Sequence, residues 1–174
     1  FNTYYEGGTM IPKQILFILT ILVLSQSLFA TDVYQWRGPN RDGVYPEKNL
    51  LKKWPEEGPQ LLWKFEGLGE GHSTVAIVNG RIYTTGMIDS MGYIFTFELN
   101  GSILWKKQYG REWTKNYPGS RSTPTIVDGR LYLLSSLGKL LCLNTDNGDE
   151  YWSLDIMKQF GARQIKWGIT ESLL

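Results

Sequence analysis

The chain has 174 residues, with 18 lysines and arginines against 17 aspartates and glutamates. A balance so near zero excludes a generic nucleic-acid binder, whose electrostatic footprint is a basic patch or stripe. One cysteine, Cys142, rules out an internal disulfide, and one histidine, His72, has no second His or Cys positioned to complete a transition-metal site.

Residues 1–9 read as upstream translation before a start at Met10. Lys13, the apolar stretch Ile15–Leu24, and the small residues Ser25, Ser27 and Ala30 follow the order of a secretory signal peptide, assigned to 10–30. The stretch is shorter than the roughly 20 residues of a spanning helix, so membrane contact is expected only through an uncleaved signal segment. Cleavage falls after Ala30 or Ser27, and the absence of a nearby cysteine gives no support to a lipoprotein anchor.

Residues 31–72 form a leading segment and a first partial blade. Within it, Arg37, Arg41 and Asp42 are expected to pair with each other or to cap the turn at Asp42-Gly43. The glycines of Gly67-Leu-Gly69-Glu-Gly71-His72 are not a dinucleotide fingerprint, because the spacing is wrong and a strand follows rather than a helix. His72 is therefore expected to be a loop residue without a catalytic role.

A repeat then begins. Ser73-Thr-Val-Ala-Ile-Val-Asn79-Gly80-Arg81-Ile-Tyr83 returns as Ser122-Thr-Pro-Thr-Ile-Val-Asp128-Gly129-Arg130-Leu-Tyr132, and a third copy starts at Ser172. Tryptophans recur in step at Trp63, Trp105 and Trp152, the last two within Gly101-x-x-x-Trp105 and Gly148-x-x-x-Trp152. Both markers keep a period of about 40–50 residues, that of propeller blades. The units are 73–121 and 122–171, with 172–174 opening a truncated next blade.

Each unit reads as four short strands. Thr74–Val78 is a β-branched apolar run, and Asn79-Gly80 and Asp128-Gly129 supply the positive φ angles of two-residue hairpins. Return strands are expected at Arg81–Thr85 and Arg130–Ser135, with glycine breaks near Gly86–Gly92 and at Gly138. Third strands follow at Tyr93–Glu98 and Lys139–Asn144, and fourth strands carry Trp105 and Trp152. No sustained helical periodicity follows the signal region. The fold class is all-β: a β-propeller of four-stranded antiparallel blades, incomplete in this chain.

The runs Gly119-Ser-Arg121-Ser-Thr-Pro124, Leu143-Asn144-Thr-Asp-Asn147-Gly148-x-x-x-Trp152 and Trp167-Gly-Ile-Thr-Glu171-Ser resemble the quinoprotein-type (PQQ-repeat) β-propellers. Trp36-Arg37-Gly38-Pro39-Asn40-Arg41-Asp42-Gly43 is similar to the opening segment of their exported members. The resemblance covers about residues 34–174. It implies that Gly101, Trp105, Gly148 and Trp152 dock neighbouring blades, with both tryptophans largely buried. Asn144 and Asn147 stand where Asp and Thr are commoner in the family, which is expected to weaken docking hydrogen bonds.

The stretches joining one blade to the next carry the candidate chemistry. Gly110–Arg121 holds Arg111, Trp113, Lys115, Tyr117 and Arg121; Met157–Gly168 holds Lys158, Phe160, Arg163, Lys166 and Trp167. Equivalent connectors emerge on one side of a propeller. Rings beside fixed cations suit a planar anion, so Trp113, Arg121, Arg163 and Trp167 are the candidate cofactor-binding set. The bland alternative is that the loops cover the blade tops or meet a protein partner. Glu171 is the candidate metal ligand, although Ca²⁺ wants several oxygens and pairing of Glu171 with Arg121 or Arg163 is an ordinary alternative.

Two functions follow from the resemblance. The favoured one is an exported binding or scaffold module of the periplasm or cell envelope, like family members that assist outer-membrane protein assembly. The alternative is the N-terminal part of a periplasmic dehydrogenase of alcohols, polyvinyl alcohol included, using pyrroloquinoline quinone and Ca²⁺. The family enzymes commonly use a vicinal cysteine pair, which this stretch lacks.

Overall fold

A computed structural model of the protein describes residues 32–173, so the readings of 1–9 and 10–30 lie outside the described residues. Eight strands form two four-stranded antiparallel sheets. The first is β1 (Ala76–Val78), β2 (Arg81–Ile88), β3 (Met91–Glu98) and β4 (Ile103–Arg111), hydrogen-bonded in that order. The second is β5 (Thr125–Val127), β6 (Arg130–Leu134), β7 (Lys139–Asn144) and β8 (Glu150–Asp155), paired in the same way. One short helix, α1 (Ile156–Phe160), follows β8. Among the described residues the all-β reading holds, with this turn of helix added.

Both expected hairpins are present, with φ of 51° and 71° at Asn79 and Gly80 and of 47° and 71° at Asp128 and Gly129. The glycine break expected over Gly86–Gly92 is not. β2 continues through Gly86 to Ile88, and the turn is made by Asp89 and Ser90, both left-handed at φ 50° and 67°. Gly86 and Gly92 serve close packing instead. A Cβ on Gly86 would sit 2.0 Å from the Leu68 carbonyl oxygen, and one on Gly92 would meet the Tyr109 ring at 2.2 Å.

The sheets stack face to face. Ala76, Tyr83, Ile94 and Tyr109 of the first pack against Ile126, Leu131, Leu133, Leu141 and Leu143 of the second, with Val78 and Trp105 at the margin. Alternation along each strand then sends Phe95 and Phe97 to the far side of the first sheet, where Trp63 and Phe65 cover them at centroid distances of 5.1–6.0 Å. Residues one repeat apart bond directly. Thr74 N–H donates to Thr123 Oγ1 at 3.0 Å, and Thr123 N–H donates to Ser172 Oγ at 3.0 Å. The leading segment also joins both sheets: Val33 pairs with Ile77, and Tyr34 O accepts from Ile126 N–H.

A β-bulge precedes both Trp105 and Trp152. Thr96 faces Trp105 while Phe97 faces Ile103, leaving Leu104 as the extra residue; Cys142 faces Trp152 while Leu143 faces Glu150, leaving Tyr151 extra. A bulge bends its strand and re-aims the next side chain. Trp63 Nε1 donates to Leu99 O at 2.7 Å with its ring against Gly101, and Trp105 Nε1 donates to Thr145 O at 3.0 Å with its ring against Gly148. Each tryptophan thus docks on the glycine turn of the following unit.

Two expectations need correction here. Trp152 is 45% exposed, because among the described residues no further glycine turn lies against it. The docking bond of Trp105 runs to the backbone carbonyl of Thr145 and not to the side chain of Asn144 or Asn147. Asn144 Oδ1 accepts from Asp146 N–H as an aspartate would, and its Nδ2 adds a bond to Tyr151 Oη.

Candidate functional site

The connectors between sheets meet above the β6–β7 turn. The first leaves β4 at Glu112, whose own N–H donates to Ser90 O. Its carboxylate is 3% exposed and gathers donors from both sheets: Tyr109 Oη at 2.5 Å, Trp113 N–H at 3.2 Å, Ser136 N–H at 3.3 Å, and the Ser136 hydroxyl. No basic side chain pairs with it among the described residues. These hydrogen bonds satisfy the buried carboxyl oxygens without a counter-ion. Burial, and then the neighbouring carboxylate, push the Tyr109 hydroxyl well above its ordinary pKa of 10.0.

Ser136 is also where the second connector lands. Its carbonyl accepts from Ile169 N–H at 2.9 Å and from Gln164 Nε2 at 3.1 Å. That connector starts with α1, whose first turn is capped by Asp155 Oδ1 accepting from Lys158 N–H, and it reverses at Gly161 with φ 60°.

Arg121 ties the connectors to each other. Its Nη1 donates to Trp167 O at 2.6 Å, and its Nη2 donates to Asn116 O at 2.9 Å and Tyr117 O at 2.6 Å. Tyr117 is held at a left-handed φ of 55°, with its ring 72% exposed. Such strain persists where the surroundings over-determine it. The Arg121 guanidinium also lies 5.6 Å from the centroid of Trp113. A cavity of about 350 Å³ opens beside it, lined by His72, Tyr117, Arg121 and Thr170.

Of the four candidate cofactor residues, Trp113, Arg121 and Trp167 come together. Trp113 is 4% exposed, and a Cβ on Gly168 would stand 3.1 Å from its ring, so that face is filled by the chain itself. Trp167 takes part through its carbonyl, while its ring is half-exposed. Arg163 is exposed, and no side-chain hydrogen bond to it is present among the described residues. Glu171 is exposed and pairs with neither Arg121 nor Arg163 among those residues.

His72 is exposed and belongs to the loop through its backbone, N–H donating to Ser120 O at 2.7 Å. The glycines before it have a packing reason, since a Cβ on Gly69 would lie 2.0 Å from Met87 O and one on Gly71 2.6 Å from Ser120 Oγ. Asp42 caps its turn through Val44 N–H, and Arg37 donates to the Asp42 carbonyl. Arg41 instead donates to the buried Gln35. Cys142 is a buried free thiol. Glu112 and Ser136 escaped sequence reasoning; the only signal was an acid directly after the fourth strand.

A twice-repeated four-stranded sheet, with a tryptophan of one unit docked on the glycine of the next, defines a β-propeller repeat protein. Within that class the chain belongs to the family described as "Outer membrane protein assembly factor BamB", whose model matches residues 44–171. Among solved structures, quinohemoprotein alcohol dehydrogenase from Comamonas testosteroni aligns with 52% of this chain and 14% of its own, at 14% identity and TM-score 0.39. BamB from Moraxella catarrhalis aligns with 49% of this chain and 36% of its own, at 16% identity and TM-score 0.30. The chain therefore spans a minor part of either. No curated protein matches it.

Proposed function

We propose that this chain is an exported binding or scaffold module of the cell envelope, its connector face meeting a protein partner. One observation carries the reading: the Arg121 fork is occupied by the carbonyls of Asn116, Tyr117 and Trp167, so it builds a fixed surface. The cavity beside it is lined only by exposed or half-exposed residues, as suits a contact face rather than a closed reaction site. The export signal read at 10–30 and the family description support the location.

A dehydrogenase would need a seat for pyrroloquinoline quinone and Ca²⁺, and the described residues do not fit either. The Trp113 ring is covered, both Arg121 Nη atoms donate to backbone carbonyls, and no three acidic, His or Cys side chains gather among the described residues. Titration of the full-length protein with the quinone, with and without Ca²⁺, is the deciding experiment. Absence of saturable binding is the expected result. Saturable binding lost in Arg121→Ala and Arg163→Ala would replace this reading with the dehydrogenase.

A further inference from the structure

We infer that the connector face is a docking surface for an acidic, aromatic-bearing protein segment; this rests on the scaffold reading and names the partner's chemistry. The two connectors carry Lys115, Arg121, Arg163 and Lys166 and are joined through the Arg121–Trp167 bond, with Lys115 and Arg121 beside the Trp113 ring and Lys166 beside the Trp167 ring. Among the described residues no acid forms an ion pair with them, exposed Glu171 included. Glu112 is buried under Tyr109 and Ser136, and Asp155 caps α1. The ion pairs among the described residues all lie outside this face, at Lys64–Glu66, Arg81–Asp146 and Lys139–Glu150.

A chain of near-zero net charge therefore concentrates unpaired cations at one place. Exposed rings stand among them: Tyr117 is 72% and Trp167 48% exposed, with Lys166 Nζ 5.0 Å from the Trp167 centroid. Arginine with tyrosine and tryptophan is the chemistry of interface hot spots, and fixed loops lower the ordering cost of binding. Carboxylates answer the cations and aromatic side chains answer the rings. An acid polymer alone would answer only the first.

Isothermal titration with a short peptide alternating glutamate and tyrosine tests this. Saturable binding is expected that weakens as salt rises and falls about tenfold or more when Lys115→Glu, Arg163→Glu and Lys166→Glu are combined. Tyr117→Ala should weaken it with the salt dependence kept, and Lys52→Glu with Lys53→Glu should leave it unchanged. All these side chains are exposed, and circular dichroism confirms that each variant is folded. Equal binding by the charge-reversed chain would overturn the inference. So would an all-glutamate peptide or phosphatidylglycerol vesicles binding as tightly as the mixed peptide. Quinone binding bears on the scaffold reading alone, so the two failures are distinguishable.

Discussion

Trp105 and Gly148 meet across the boundary between the sheets: a Cβ on Gly148 would stand 2.9 Å from the Trp105 ring. Gly148 is also left-handed, with φ 73°. Gly80 has nearly the same φ, 71°, but nothing within 4 Å of where its Cβ would be. Alanine at either site meets the left-handed penalty of about 1–2 kcal/mol. Only Gly148→Ala must also displace a docked ring. Urea denaturation should show Gly148→Ala as clearly the more destabilising, and equal losses would deny the ring a docking role.

The same geometry separates two tryptophans that look alike in the repeat. Trp105 is half-buried, packs on the core and bonds to Thr145 O, so Trp105→Ala is expected to cost about 3–5 kcal/mol. Trp152 is 45% exposed, and the same change there should cost less than half as much in this chain. Unfolding midpoints of the two variants compare them directly. Equal losses would show that Trp152 is already docked.

These contrasts mark how far the sequence was legible. The turns at Asn79-Gly80 and Asp128-Gly129 have a residue signature, whereas Asp89-Ser90 makes the same kind of turn without a glycine. The bulges at Leu104 and Tyr151 arise from ladder pairing, which no single residue announces. The connector composition was visible, and it drew attention to Arg121 and Trp113. That Arg121 would close on backbone carbonyls was not, since a carbonyl belongs to every residue. Glu112 and Ser136 lie 24 positions apart in different units, so their meeting required the stacked sheets.

Alkaline stability follows from Tyr109. Its pKa is raised in the folded state, first by burial and then by Glu112, so the folded chain holds that proton more tightly than the unfolded one. The contribution is therefore fully present below pH about 10 and is lost as pH climbs towards the folded value. Tyr83, raised mainly by burial, acts in the same direction. Tyr109→Phe should cost about 1–2 kcal/mol at neutral pH through the lost bond to Glu112. It should also flatten the fall of the urea midpoint above pH 10. An unchanged slope would show that Tyr109 does not titrate with unfolding.

Arg121 offers the sharpest test of how the connectors are held. Three carbonyls from two loops converge on one planar guanidinium, a geometry that the point charge of lysine cannot reproduce. Arg121→Lys and Arg121→Ala should both free the first connector from the second while leaving the sheets paired. Lys115 and Lys166 lie exposed on the two loops, so trypsin reports the release directly. Where opening is fast, cleavage follows the population of the open loop. Cutting after Lys115 and Lys166 should accelerate in both variants, with cutting after Lys139, inside β7, unchanged relative to wild type. Equal cleavage in wild type and variants would mean that the connectors stand without the arginine, and the fixed docking face would lose its physical basis.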